Sequence, residues 1–241
     1  MPLLPQSNAA GGAPSRGDPI RSTHFEASSG TRRLLPEGVM VSVAAGDQLP
    51  LWSKVLYTVF LCVLVPVYWI YWGPKNFLWF SDIAFLITAV AMWLESSLLA
   101  SMMTLAIALP ELAWNVDYFG RLLTGRHLLG LSEYMFDSQK PLYLRALSLF
   151  HVVLPIVLVW MVYQLGYDSR AWMFQTLLAL IVLPVTYSVT DPVDNINWVF
   201  GPGRKPQTWM PPLAYLALLI VFFPVAVYLP THLLLRRLFG F

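Results

Sequence analysis

Residues 77–119 read FLWFSDIAFLITAVAMWLESSLLASMMTLAIALPELAWNVDYF. Four carboxylates, Asp82, Glu95, Glu111 and Asp117, stand in or at the ends of stretches otherwise apolar enough to cross a bilayer. Ionised groups in hydrocarbon are costly, so they are rare there and usually face a cavity, a partner or a substrate path. The stretch is therefore read as two membrane spans, Phe77–Leu98 and Leu99–Phe119, with the hairpin marked by Glu95, Ser96, Ser97 and Ser101. One long helix with a re-entrant piece is the alternative reading, because no polar loop separates the two.

Composition agrees with a membrane setting. The chain has 241 residues, 57% hydrophobic and 12% charged, where a soluble domain carries about 25% charged residues. Trp and Tyr gather near the ends of the apolar runs, as in interfacial belts. A helix needs about 20 apolar residues to span a core of roughly 30 Å. By that rule four more spans follow: Trp52–Trp72, Leu142–Gly166, Ala171–Val189 and Pro212–Pro230. The runs are continuous rather than alternating, which selects helices over a barrel. The fold class read from the chain is all-α: a polytopic transmembrane helical bundle of about six spans, residues 51–241, behind a disordered polar tail, residues 1–50. The tail is rich in Gly, Pro, Ser and Ala and lacks the apolar core of a secretory signal.

Pro66, Pro110, Pro155, Pro184 and Pro224 fall inside five of these spans, where each removes a backbone donor. Residues 120–141 mix charge with Leu and Met and read as an interfacial helix and loop. The net charge of +2 is too small to point to nucleic acid as a partner. Cys62 is the single cysteine, which rules out an intrachain disulfide and a Cys-based metal cluster. With six spans both termini lie on one side. Basic residues near the span ends favour the other, loop-bearing side as cytoplasmic, whereas counting the whole Arg-bearing tail reverses this. A polar tail of this length is easier to leave in the cytoplasm, so both termini are expected there.

Depth at 1.5 Å per residue brings polar groups together in the half of the bilayer nearest the 73–76 turn and the 190–211 loop. Asp82 falls about 8 Å in, Glu111 about 12 Å and His151 about 13 Å. Glu111 and Asn115 are four apart and share a helix face. Thr186, Tyr187 and Thr190 close the fifth span on that side, leading to Asn195 and Asn197. His151, the only His in the core of a span, is the candidate general base, because its charge changes near neutrality. Asp82 and Glu111 are its candidate catalytic partners, and Asn115, Tyr187, Asn195 and Asn197 are candidate substrate-binding groups. The same three titratable residues could hold a Zn, Mn or Fe ion. No HxxxH, HExxH or ExxH spacing supports that, so no metal site is assigned and no cofactor is identified. GxSxG, P-loop and Rossmann glycine patterns do not occur. The 190–211 loop carries Trp198 and Phe200 among turn formers, as either a lid dipping into the bundle or an interfacial anchor.

The stretches Trp79-Phe80-Ser81-Asp82, Phe150-His151, Gly166-Tyr167-Asp168-Ser169-Arg170 and Asn195-Ile196-Asn197-Trp198 together resemble the YwaF-type integral membrane family, which includes a eukaryotic transmembrane acyltransferase. The resemblance runs from Trp79 to Trp198 and implies a helical membrane fold. The family's lipid acyl-transfer chemistry pairs a Cys with a His. Asp82 stands at the corresponding position here, so covalent acyl transfer does not carry over. The expected activity is a membrane-embedded enzyme acting on a lipid-like substrate, with membrane lipids as partners. A small proton-coupled transporter and a non-catalytic assembly or scaffold subunit are the alternatives.

Overall fold

The computed structural model describes residues 48–203 and 205–239. The expected N-terminal tail lies almost entirely outside the described residues. Among the described residues the chain is helical, with no strand. Its long elements are α1 (Leu51–Trp72), α2 (Phe80–Leu94), α3 (Ser97–Thr124), α4 (Leu142–Leu165), α5 (Ala171–Val189) and α6 (Pro212–Phe239). All except α2 are long and apolar enough to cross a membrane, and the chain is read as a polytopic membrane protein.

Each reversal has a chemical cause. Gly73 ends α1 at φ 81°, a conformation that an L side chain rarely adopts, and a one-turn 3-10 segment at Pro74–Leu78 leads into α2. That segment replaces the first turn of the expected second span, so Asp82 is only the third residue of α2. The α2–α3 boundary, open in the sequence, is a tight hairpin. Glu95 takes the left-handed conformation (φ 48°), and Ser96 caps α3 by accepting from the Leu99 amide at 3.3 Å. A non-glycine residue held there costs of order 1–3 kcal/mol, which other contacts must offset. The Glu95 carboxylate meets Lys54 Nζ at 2.9 Å and accepts from the Gln48 and Leu49 amides at 2.9 and 3.0 Å. The strained residue thereby ties the α2–α3 corner to the chain entering α1.

α3 is the central helix and packs against α2, α4, α5 and α6. Half of its most apolar window is buried, against 17% for α1 at the periphery. Ala100, Ser101 and Ala106 are small enough to let neighbouring helices approach closely. Two helices depart from regular geometry. α4 tightens at Ser148 and Leu149, where His151 N bonds Ser148 O at 3.2 Å and Val152 N bonds Leu149 O at 2.9 Å. α6 widens into a π segment at Phe223–Tyr228 that contains Pro224. Such mid-helix irregularities mark strain or function more often than chance.

On one side of the bundle lie the 73–79 turn and the 125–141 and 190–211 loops, here the loop side. The opposite, tail side holds the Glu95 corner and the 166–170 turn. The long loop packs inward: Val199 is fully buried, and Asn195, Asn197 and Trp198 all have positive φ. Tyr187 and Phe200 rings lie 5.0 Å apart.

Candidate functional site

Glu111 and His151 meet across the α3–α4 interface. The His151 Nδ1 lies 2.9 and 3.0 Å from the two Glu111 carboxylate oxygens. Both side chains are largely removed from solvent. Asn115, one turn beyond Glu111, donates to the backbone carbonyls of both Glu111 (2.8 Å) and His151 (2.9 Å). The amide thus clamps the two helices where the dyad forms. The imidazole is stacked between Phe150, 4.1 Å between ring centroids, and Trp114, 4.8 Å. With Nδ1 held by a carboxylate and the ring plane held by aromatics, the tautomer with Nε2 as acceptor is favoured. Nε2 makes no hydrogen bond among the described residues.

Asp82 lies in the first turn of α2, buried and within electrostatic reach of both His151 and Glu111. Its Oδ1 is buried with no hydrogen-bond partner among the described residues. The loop supplies the α2 cap instead. Asn197 Oδ1 accepts from the Phe80 amide at 3.0 Å, and its Nδ2 donates to Leu78 O at 2.7 Å. Asn195 works within the loop, donating to the Gly201 and Gly203 carbonyls and accepting from the Phe200 amide. Tyr187 stands apart from the dyad. With Pro192, Val199, Phe200, Pro206, Gln207, Pro212 and Tyr215 it lines a cavity of about 200 Å³ under the loop. The catalytic candidates therefore come together, whereas the amides of Asn115, Asn195 and Asn197 are bonded within the protein.

Several participants went unnoticed in the sequence. Tyr68 on α1 shares a 2.6 Å hydrogen bond with Ser148, at the tightened turn before His151. Tyr134 approaches the same region from the 125–141 loop. Burial raises its phenol pKa, with Tyr68, Glu111 and Asp82 acting in the same direction. Asp117 explains how that loop is held. Its carboxylate accepts from the Leu129, Gly130 and Ser132 amides and from Ser132 Oγ, at 2.7–3.0 Å. A ladder of rings then runs outward: His151 to Trp114, Trp114 to Tyr118 at 5.1 Å, and Tyr118 to Phe136 at 5.6 Å. The aromatic residues beside Glu111 were the available signal for Trp114 and Tyr118. Nothing in an interfacial loop singles out Tyr134.

No cluster of three or more His, Cys, Asp or Glu side chains suited to a metal ion occurs among the described residues. Comparisons with protein-family models, with curated proteins and with solved structures give no match.

Proposed function

We infer that this protein is a membrane-embedded enzyme acting on a lipid-like substrate, with His151 as the base, Glu111 as its orienting carboxylate and Asp82 as a second acidic group. The observation that carries this reading is the asymmetry of the imidazole: Nδ1 is fixed by Glu111 at 2.9 Å while Nε2 is unbonded. A carboxylate so placed holds the ring in the tautomer that accepts a proton at Nε2 and stabilises the imidazolium that results. In this reading Nε2 takes a proton from a substrate hydroxyl or from water, and Glu111 and Asp82 balance the positive charge. The deprotonated oxygen forms its bond to the electrophilic centre of the lipid-like substrate, and the imidazolium gives the proton to the oxygen whose bond to that centre breaks. Asn115 acts as a positioning residue through the two carbonyls it binds. Asn195 and Asn197 position the loop and α2, and Tyr187 offers a hydroxyl near the loop cavity. The resemblance to the YwaF-type family fits this reading at the level of fold. Both termini are placed on the cytoplasmic side, following the Arg-bearing tail.

A transporter needs polar access from both faces. On the tail side Glu95 with Lys54, and Tyr167 with His232 at 2.7 Å, are bonded within the chain. The scaffold alternative draws support from the internally bonded asparagines, but it gives no role to Asp82 Oδ1 or to Nε2. The test is incubation of the purified protein in nanodiscs of total membrane lipid, followed by mass spectrometry of the lipid species. Time-dependent turnover by the wild-type chain and none by a folded His151→Gln variant is expected. Identical lipid profiles for the two proteins at long times would reject the enzyme.

A further inference from the structure

At the loop-side end of α3 an open cavity of about 410 Å³ is lined by Arg121, Glu133, Tyr134, Phe136 and Asp137. It stands outside the dyad and outside every stretch that the sequence singled out for chemistry. Arg121 is its distinctive member. The guanidinium sits over Phe136, with Cζ 4.4 Å from the ring centroid. Its Nη1 is buried without a hydrogen-bond partner among the described residues. A buried donor left unbonded is costly, more so when charged, and a guanidinium is suited to phosphate oxygens. The other charges in the cavity are negative. Glu133 faces His127 at 3.5 Å, while the Asp137 carboxylate accepts only the Gln139 amide at 2.9 Å among the described residues. The Asp137 carboxylate beside a single guanidinium disfavours a purely anionic ligand. One phosphate site beside carboxylates and aromatic rings matches a group carrying phosphate and ammonium together, since ammonium groups are attracted by both carboxylates and ring faces.

The depth is that of lipid headgroups. Arg121 lies in the last turn of α3. At the same end of the bundle Lys140 stacks 4.4 Å over Trp72, within the aromatic belt that closes α1. We propose that this cavity binds the zwitterionic headgroup of a bilayer phospholipid, with its phosphate on Arg121 and its ammonium between Asp137 and the Tyr134 ring. The site stands whether or not His151 performs chemistry. The ring ladder from Phe136 to His151 joins it to the dyad, so an occupied headgroup site places the rest of that lipid beside the α3–α4 seam.

The full chain in maltoside micelles is titrated with short-chain phosphatidylcholine, phosphatidylethanolamine, phosphatidylglycerol and inorganic phosphate, with binding read by native mass spectrometry. The two zwitterionic lipids should bind saturably, and phosphatidylglycerol and free phosphate at least about tenfold more weakly, the equivalent of one charge-assisted hydrogen bond. Arg121→Gln and Asp137→Asn should each weaken the zwitterionic lipids by about tenfold. Asp137→Asn serves if the arginine variant misfolds, and His151→Gln should bind them as the wild type does. Four results overturn the proposal: no saturable binding, equal or tighter binding of phosphatidylglycerol or phosphate, unchanged binding in both cavity variants, or loss of binding in His151→Gln. The last of these would put the headgroup at the dyad itself. Turnover by the wild type bears on the enzyme reading alone.

Discussion

The two ends of the bundle differ in how completely their polar side chains are paired. On the tail side they are paired: Glu95 with Lys54, Asp168 with Arg170 at 2.7 Å, Ser101 with the Asp168 amide at 3.0 Å, and Tyr167 with His232. Six buried side-chain polar atoms lack a partner among the described residues, and five of them, on Asp82, Trp114, Arg121, Arg145 and Thr186, belong to the loop-side half. The sixth, Gln175 Oε1, belongs to an amide whose nitrogen donates to the Tyr228 hydroxyl at 3.3 Å. A bundle that needed polar groups only as helix glue would satisfy both ends alike. The difference teaches that the tail side is bound into place, while the loop side keeps hydrogen-bonding capacity in reserve.

The comparison breaks most visibly at Glu95. Glu95→Ala removes three hydrogen bonds and the reason for a left-handed residue, and should cost about 3 kcal/mol. Thermal unfolding in detergent measures this, and a loss below that of a typical surface substitution would mean that the tail side is not the locked end. The pair also predicts a pH response. Burial raises the Glu95 pKa, but the Leu49 amide, Lys54 and the Gln48 amide more than offset it and hold it below the usual carboxylate range. Asp168 is also held low, first by its Arg170 hydrogen bond. A depressed folded pKa means stability that is present above the unfolded value, about 4, and lost as pH falls through the lower folded value. Wild-type stability should therefore drop below about pH 4, and Glu95→Gln should flatten that limb; parallel acid curves for the two proteins would count against the assignment.

Next in size is Asn197→Ala, which uncaps α2 and should cost about 1–2 kcal/mol. Asn197→Gly should recover only the part that Ala loses by being held at positive φ (52°) and should stay below the wild type, because the side chain does the capping; full recovery would assign the effect to backbone strain. Tyr167→Phe should cost about 1 kcal/mol through loss of the His232 bond. Asp82→Asn closes the series. Its Oδ1 loses no bond, so the melting temperature should hold or rise while turnover falls. A drop as large as that of Glu95→Ala would reveal a bonded Asp82 and erase the contrast between the two ends.

Length and hydropathy placed the spans well because they depend only on the number of apolar residues between turns. Trp72-Gly73-Pro74 and Gly166 announced their reversals through residues that favour or require special backbone. The α2–α3 corner was marked only by the polar run at Glu95, Ser96 and Ser97, which left one long helix as an alternative; Glu95 is the residue that turns it, and its stabilising partners lie in the segment from Gln48 to Lys54. The candidate site divides the same way. Depth along each helix brought Asp82, Glu111 and His151 to one level. Rotation about each helix decides who meets whom, and the rotation that joins Glu111 to His151 is set by packing of α3 against α4. Asn115 and Asn197 were noticed as polar groups. Their use as a clamp and a cap depends on contacts with residues up to 119 positions away, which no local pattern encodes.

The brevity of α2 has a consequence for the surrounding lipid. Its 15 residues span about 22 Å, well short of a hydrocarbon layer of roughly 30 Å. Val90, Trp93 and Leu94 turn outward along it, so acyl chains beside this helix must shorten or headgroups must dip to meet its ends. A helix of that length predicts a thinner lipid layer beside α2, so thin membranes should suit this protein better than thick, sterol-rich ones.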